Sequence, residues 1–134
     1  MWTEHILNPK LISSLFKGQE PSLKQIKAYE ISVIFGGTLQ VKIHFDLKEF
    51  LAEAPMKWVQ SKYDTVGMSL GLIDADIKHF SVCGGEMIGD LSIDFLDSVF
   101  LIEFRTDKVG LIFSATAKWI NVDKVEGYKS NPMH

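Results

Sequence analysis

Alternation of apolar and polar residues is the strongest local pattern in this chain, and it predicts a long β-hairpin. Apolar side chains occupy every second position on both sides of a glycine turn at residues 36–38: Tyr29, Ile31, Val33, Phe35, Leu39, Val41, Ile43, Phe45 and Leu47. A period of two places such residues on one face of a strand. Only one register aligns the two apolar faces, with Ile31 beside Ile43 and Val33 beside Val41. We therefore expect a hairpin over about residues 26–47, with Phe35 and Leu39 flanking its turn and these four paired side chains buried.

Further short strands are predicted downstream by the same alternation. A run from Val66 to Leu72 precedes Asp74-Ala75-Asp76, which has the composition of a turn. A change of parity after Ile77 predicts a bulge near Lys78-His79. A two-residue turn at Asp97-Ser98 would pair Ile93 with Ile102 and Phe95 with Phe100, and residues 111–117 form one more strand.

The start of the chain has a helical pattern instead. Asn8 suits a helix N-cap and Pro9 the first helical position, while Gly18 can adopt the left-handed conformation that ends a helix. Residues 54–58 are expected to form a loop, because Pro55 favours extended geometry in the residue before it. The fold class expected is mainly β: an antiparallel sandwich or strongly curved sheet of about seven strands with a short N-terminal helix.

Length and composition indicate one domain spanning residues 1–134, since 46% apolar and 23% charged residues are typical of a packed core. The first residues lack a basic leader, and the longest apolar run, Val99 to Ile102, is too short for a membrane span. Cys83 is the single cysteine and cannot form an intramolecular disulfide; we expect it to be a packing residue rather than a nucleophile. These features predict a cytoplasmic protein.

Charge is distributed unevenly along the chain. Residues 1–62 carry eight basic and six acidic residues, whereas residues 63–134 carry six basic and eleven acidic ones. No basic stripe with interleaved aromatic residues occurs, so nucleic-acid binding is not expected. The predicted register of the second hairpin places Asp90, Asp94 and Glu103 together on its outward face, partly compensated by Arg105. Such a cluster is usually a solvated face, but it is also the candidate partner-binding surface of this sequence.

Residues with catalytic or ligand-binding chemistry are weakly organised. Residues 67–71 match the G-x-S-x-G spacing of a hydrolase nucleophile, but that motif needs a strand-to-helix turn, and here Ser69 lies inside an alternating strand. Asp74, Asp76 and His79 are metal-ligand types, yet turn chemistry explains both aspartates and no second cluster completes a site. We therefore expect no catalytic residues, no metal site and no cofactor.

Trp58 follows Pro55 closely and is expected to stabilise the end of the β-core rather than to bind a partner. A surface tryptophan would instead be a candidate interaction anchor, since large aromatic side chains carry much of the binding energy at interfaces.

The order of these features is similar to that of a known family. The relevant segments are Trp2 with the short helix, the hairpin ending in Phe45-Asp46-Leu47, Pro55-Met56-Lys57-Trp58, the strand from Tyr63 to Met68, Trp119-Ile120 and Gly127-Tyr128. Over nearly its whole length the chain resembles the Immunity protein 50 family of bacterial polymorphic toxin systems, and the Pro-x-x-Trp element is the most specific part of that resemblance.

The resemblance implies a small cytoplasmic protein that protects its producer by binding a cognate toxin, without chemistry of its own. It carries over no catalytic or toxin-binding residue. Two alternatives stay open: a β-domain that binds a small ligand or another protein in an unrelated role, which needs a concave pocket, and a small hydrolase, which needs Ser69 beside a histidine such as His79. A toxin gene next to this one would favour the immunity function.

Overall fold

Six antiparallel strands close into a barrel in the computed structural model of the chain, which describes residues 2–82 and 84–130. The strands are β1 (Ile26–Ile34), β2 (Gln40–Asp46), β3 (Thr65–Phe80), β4 (Met87–Leu96), β5 (Val99–Thr106) and β6 (Gly110–Tyr128). Their order is β1-β2-β3-β6-β5-β4, and β1 closes the barrel by pairing with β4. The predicted mainly β class is confirmed in its strongly curved form.

The described residues form six strands, one fewer than the predicted count of about seven, because the turn predicted at residues 74–76 was wrong. Strand β3 continues through them, and β6 pairs with it both before and after, at Ile73 and at Ala75. Asp74 adopts a left-handed conformation with φ of 54°, which aspartate tolerates better than most residues. The pairing of β3 with β6 resumes at the next residue, Ala75. The predicted bulge is confirmed as a register shift between Ile77 and His79.

Both predicted hairpin registers are confirmed. In the first, Ile31 pairs with Ile43 and Val33 with Val41. In the second, Asp97 and Ser98 have φ of 53° and 63°, the positive values that a tight two-residue turn requires. The pairs Ile93 with Ile102 and Phe95 with Phe100 follow from that turn.

The expected burial of the first hairpin is correct only for β2. Val41 and Ile43 are buried, but Ile31 and Val33 are only half-buried. The reason is that β4 pairs with β1 only along Ile26–Ala28. Beyond Ala28, β1 extends past the closed part of the barrel wall with β2 alone beside it in the described part of the chain.

Three short helices accompany the strands in the described residues: a 3₁₀ helix at Trp2–Glu4, α1 at Pro9–Leu15 and α2 at Met56–Gln60. Helix α1 starts at Pro9 as predicted, and Gly18 takes the left-handed conformation just beyond its end. The loop predicted for residues 54–58 was wrong from Met56 onward. Pro55 stands at the N-cap of α2, where its carbonyl accepts hydrogen bonds from the N–H groups of Trp58 and Val59.

The segment before α1 covers an exposed edge of β6. Beyond Ala117, β6 has no β5 beside it. The N–H of Leu7 donates to the carbonyl of Ile120 at 2.9 Å. Asn8 does not cap its helix with its side chain; instead its amide binds both backbone groups of Val122, at 2.8 and 2.9 Å. The N-terminal segment therefore satisfies backbone groups that an uncovered strand edge would leave open.

The barrel interior is filled by the inward side chains of all six strands. The largest fully buried ones include Phe45, Met68, Leu70, Phe100, Ile102 and Phe113. Within residues 2–82 and 84–130, no helix combines the length and the hydropathy needed to cross a membrane. Cys83 lies outside the described residues, so its expected role as a packing residue stays a prediction.

Candidate functional site

The three carboxylates of the predicted partner-binding surface all lie on the outward face of the second hairpin. The register places Ser92 between Asp90 and Asp94 on β4, and Glu103 of β5 directly opposite Ser92. Asp94 and Glu103 line the same shallow depression, of about 230 Å³. Asp90 is four residues from Asp94, about 13 Å along the strand. The structure thus brings two of the carboxylates together and places the third at the far end of the same face.

Two cations moderate the charge of this surface, which we call the acidic surface (Asp90, Asp94 and Glu103). Arg105 lies 3.7 Å from Glu103, as expected for partial compensation. Lys78 of β3 lines the same depression as Asp94 and Glu103, but its amine is bonded to Asp76 at 2.6 Å. Asp90 accepts hydrogen bonds from the backbone and side chain of Gln25. Asp94 has no basic partner in the described residues and accepts one hydrogen bond, from the Ser92 hydroxyl at 3.4 Å.

A buried polar cluster joins three strands on another part of the barrel. Asp46 of β2 is only 7% exposed, and one of its oxygens, Oδ2, accepts hydrogen bonds from Tyr29 of β1, at 2.7 Å, and from Tyr128 of β6. Its other oxygen, Oδ1, has no hydrogen-bond partner in the described part of the chain. Burial and the bond to Asp46 raise the pKa of both phenols above the ordinary value of 10.0. The cluster ties β1, β2 and β6 together near the end of the barrel.

These raised pKa values predict a loss of stability at alkaline pH. Unfolded tyrosines ionise near pH 10, while Tyr29 and Tyr128 keep their protons in the fold. The folded state then binds more protons than the unfolded one, so stability falls as the pH rises above about 10. The denaturation midpoint of the wild type should fall more steeply between pH 8 and 11 than that of a Tyr29→Phe, Tyr128→Phe double variant.

The double variant also has an expected effect at neutral pH. Each lost hydrogen bond to a charged group should cost about 2 kcal/mol of unfolding free energy. Tyr63→Phe is the control, because Tyr63 makes no bond to Asp46. If the denaturation midpoints of wild type and double variant fell equally between pH 8 and 11, the raised pKa values of Tyr29 and Tyr128 would be contradicted.

Trp58 closes the end of the barrel where β3 begins and β6 ends. Its indole lies flat against the backbone of Gly127: a Cβ added to that glycine would come within 2.6 Å of the ring. Phe50 and Tyr63 flank the indole, with ring centroids 6.1 and 6.3 Å away. Trp58 is half-buried and packs against the core. The predicted stabilising role of Trp58 depends on these contacts and stays a prediction.

Ser69 lies in the middle of β3, in the strand that was expected. Its side chain is 5% exposed, and the residue across the ladder is His44 of β2. No hydrogen bond joins the two side chains in the described residues. His79, the histidine considered for a hydrolase, lies ten residues further along the same strand, about 30 Å away in extended geometry. The arrangement provides neither the sharp turn nor a base hydrogen-bonded to the hydroxyl, both of which activate a serine nucleophile.

We therefore predict that Ser69 does not react as a nucleophile. A fluorophosphonate probe should leave the folded protein unmodified, as judged by intact mass, and Ser69→Ala should behave identically. Labelling that is present in the wild type and absent in Ser69→Ala would contradict this prediction.

The other ligand-type residues do not converge. Among the described residues, no group of three or more His, Cys, Asp or Glu side chains has the geometry to hold a metal ion. Asp76 forms an ion pair with Lys78. A ring nitrogen of His79 lies 3.2 Å from the carbonyl oxygen of Leu111. Asp74 lies at the left-handed position of β3. The three residues therefore serve the geometry of this strand.

Comparison with known proteins identifies a family. The family model described as Immunity protein 50 matches residues 8–128, which is most of the chain. No curated protein and no solved structure matches. The matched segment includes all six strands, Trp58 and the three carboxylates of the acidic surface. The resemblance seen in the sequence is confirmed: this chain belongs to the Immunity protein 50 family.

Proposed function

We propose that this protein neutralises a cognate bacterial toxin by binding it in the cytoplasm of the producing cell. The observation that carries the proposal is membership of the Immunity protein 50 family over residues 8–128. The chemistry of the described residues agrees with it, because no hydrogen bond joins Ser69 to His44 across the ladder and the ligand-type side chains on β3 do not converge. Binding, not catalysis, is then the means of protection, and it needs no cofactor, nucleic acid or membrane.

The acidic surface is our candidate for the face that meets the toxin. A toxin that acts on nucleic acid needs a basic surface to hold phosphates. Carboxylates on a rigid hairpin present opposite charge to such a surface and steer the encounter. Asp94 supports this assignment, because it is exposed and lacks a basic partner among the described residues.

A growth experiment tests the proposal. Cells that express the toxin domain encoded beside this gene should stop growing, and co-expression of this protein should restore growth. The control is co-expression of an Immunity protein 50 family member encoded beside a different toxin, which should not protect. Failure of this protein to restore growth, at an expression level that leaves it folded, would contradict the proposed function.

A further inference from the structure

Strand β4 pairs with β1 from Met87 to Gly89, and beyond Leu91 the same backbone edge of β4 is unpaired in the described residues. Its other edge pairs with β5 along its whole length from Gly89. The N–H of Leu91 points away from β5, because it donates to the carbonyl of Leu23 at 2.9 Å. Antiparallel ladders alternate strictly, so the backbone groups of Ile93 and Phe95 point the same way as those of Leu91. Neither residue has a backbone partner on that side within residues 2–82 and 84–130.

A groove follows this free edge between β4 and the N-terminal part of the chain. Two adjoining clefts form it, of about 470 Å³ from Asp90 to Ile93 and about 540 Å³ from Ile93 to Leu96. Trp2 lines both clefts; it is 5% exposed, and its indole N–H has no acceptor in the described residues. His5 stacks on Phe95 at 4.2 Å and bounds the far end. The groove thus combines unpaired backbone groups with an unpartnered buried donor.

The charge along this groove is predominantly negative. Asp90 lines one cleft, Asp94 the other, and Glu20 both. Among the described residues, Lys24 is the one lysine or arginine that lines either cleft. Two of these carboxylates belong to the acidic surface, which therefore continues into the groove. A segment with Lys or Arg side chains complements this surface in charge, whereas an acidic segment would be repelled.

We propose that the toxin inserts an extended basic segment into this groove and adds it as a strand to the free edge of β4. Backbone bonds to Ile93 and Phe95 would hold the segment, and its outward Lys or Arg side chains would lie beside Asp90 and Asp94. Strand addition of this kind takes affinity from main-chain bonds and specificity from alternate side chains. This inference rests on the proposed function and assigns the toxin's binding mode.

Amide hydrogen exchange in the complex with the toxin domain encoded beside this gene tests the binding mode. In the free protein, the amides of Ile93 and Phe95 should exchange fast, and those of Ser92 and Asp94, which face β5, should be protected. Toxin binding should slow exchange at Ile93 and Phe95 by at least about tenfold and leave Ser92 and Asp94 unchanged. That alternation distinguishes strand addition from a general tightening of the hairpin.

A matched pair of variants gives a second measure. Phe95→Pro removes an edge N–H without removing a bond to β5, whereas Phe95→Ala removes the ring and keeps the N–H. Phe95→Pro should weaken toxin binding at least about tenfold more than Phe95→Ala if the backbone carries the contact. Thermal denaturation of both variants verifies that they fold, and the exchange experiment does not depend on either.

The outcomes separate this inference from the proposed function. A toxin that binds and is neutralised while Ile93 and Phe95 exchange as in the free protein overturns the strand addition and leaves the function intact. Equal loss of binding in Phe95→Pro and Phe95→Ala also overturns it. A toxin domain that does not bind the wild-type protein at all contradicts the proposed function, and this inference falls with it.

Discussion

Replacing Trp58 by alanine is expected to lower the free energy of unfolding by about 3 kcal/mol, the lower end of the range for a truncated buried aromatic residue. The lower end applies because Trp58 is only half-buried. The loss arises from the indole contacts with Gly127, Phe50 and Tyr63, which close one end of the barrel. Urea denaturation of wild type and variant measures it. Trp119→Ala is the matched control: Trp119 is 39% exposed, so its truncation should lower the free energy of unfolding much less.

The contact with Gly127 gives this prediction a sharper form. Gly127→Ala places a Cβ within 2.6 Å of the indole, so the variant must displace Trp58 and lose stability. In a Trp58→Ala background the same substitution meets no ring and should cost little. The two changes are then strongly non-additive, as expected for residues in direct contact. An unchanged denaturation midpoint in Trp58→Ala, together with lost toxin binding, would show that Trp58 is a binding residue instead.

Neutralising the acidic surface is expected to slow association with the toxin by about tenfold or more at low salt. Electrostatic steering raises association rates by roughly 10- to 1,000-fold and weakens as salt screens it. The variant is Asp90→Asn, Asp94→Asn, Glu103→Gln, whose side chains keep their size and lie outside the core. Stopped-flow association at low and high ionic strength measures the effect. The wild-type rate should fall with salt much more steeply than that of the variant.

A second triple variant controls for net charge. Glu30→Gln, Glu49→Gln, Glu53→Gln changes the charge equally at exposed positions away from the second hairpin. It should slow association less than the neutralised acidic surface does. If the acidic-surface variant associates at the wild-type rate and neither rate changes with salt, the acidic surface does not steer association with the toxin.

The alternation of apolar and polar residues was sufficient to predict the parts of the fold that form between neighbouring segments of the chain. The hairpin registers follow from alternation on both sides of a short turn, which is why the pairs Val33 with Val41 and Ile93 with Ile102 could be read from the sequence. The outward direction of Asp90, Asp94 and Glu103 follows from that second register. Lys78 was not foreseen beside them, because it reaches the surface from β3, on the far side of β6.

Features that depend on distant segments could not be read in this way. Aspartate with positive φ is common in turns, and only the ladder with β6 shows that Asp74 lies inside a strand. The barrel closes through three residue pairs between β1 and β4, which leave no pattern in either segment. Tyr128 and Asp46 are 82 positions apart, so the hydrogen bond between them could not be predicted from a local pattern. The helix α2 has five residues, too few for an apolar period to be detected.

Titration of the toxin domain with this protein is the sharpest test of neutralisation by binding. The toxin's activity on its own substrate is measured in vitro at a fixed concentration well above the dissociation constant. We expect a linear loss of toxin activity that ends at a fixed stoichiometric ratio of the two proteins, with full activity recovered when the complex is dissociated. Inactivation by a small fraction of an equivalent, or no inactivation at excess, would contradict it.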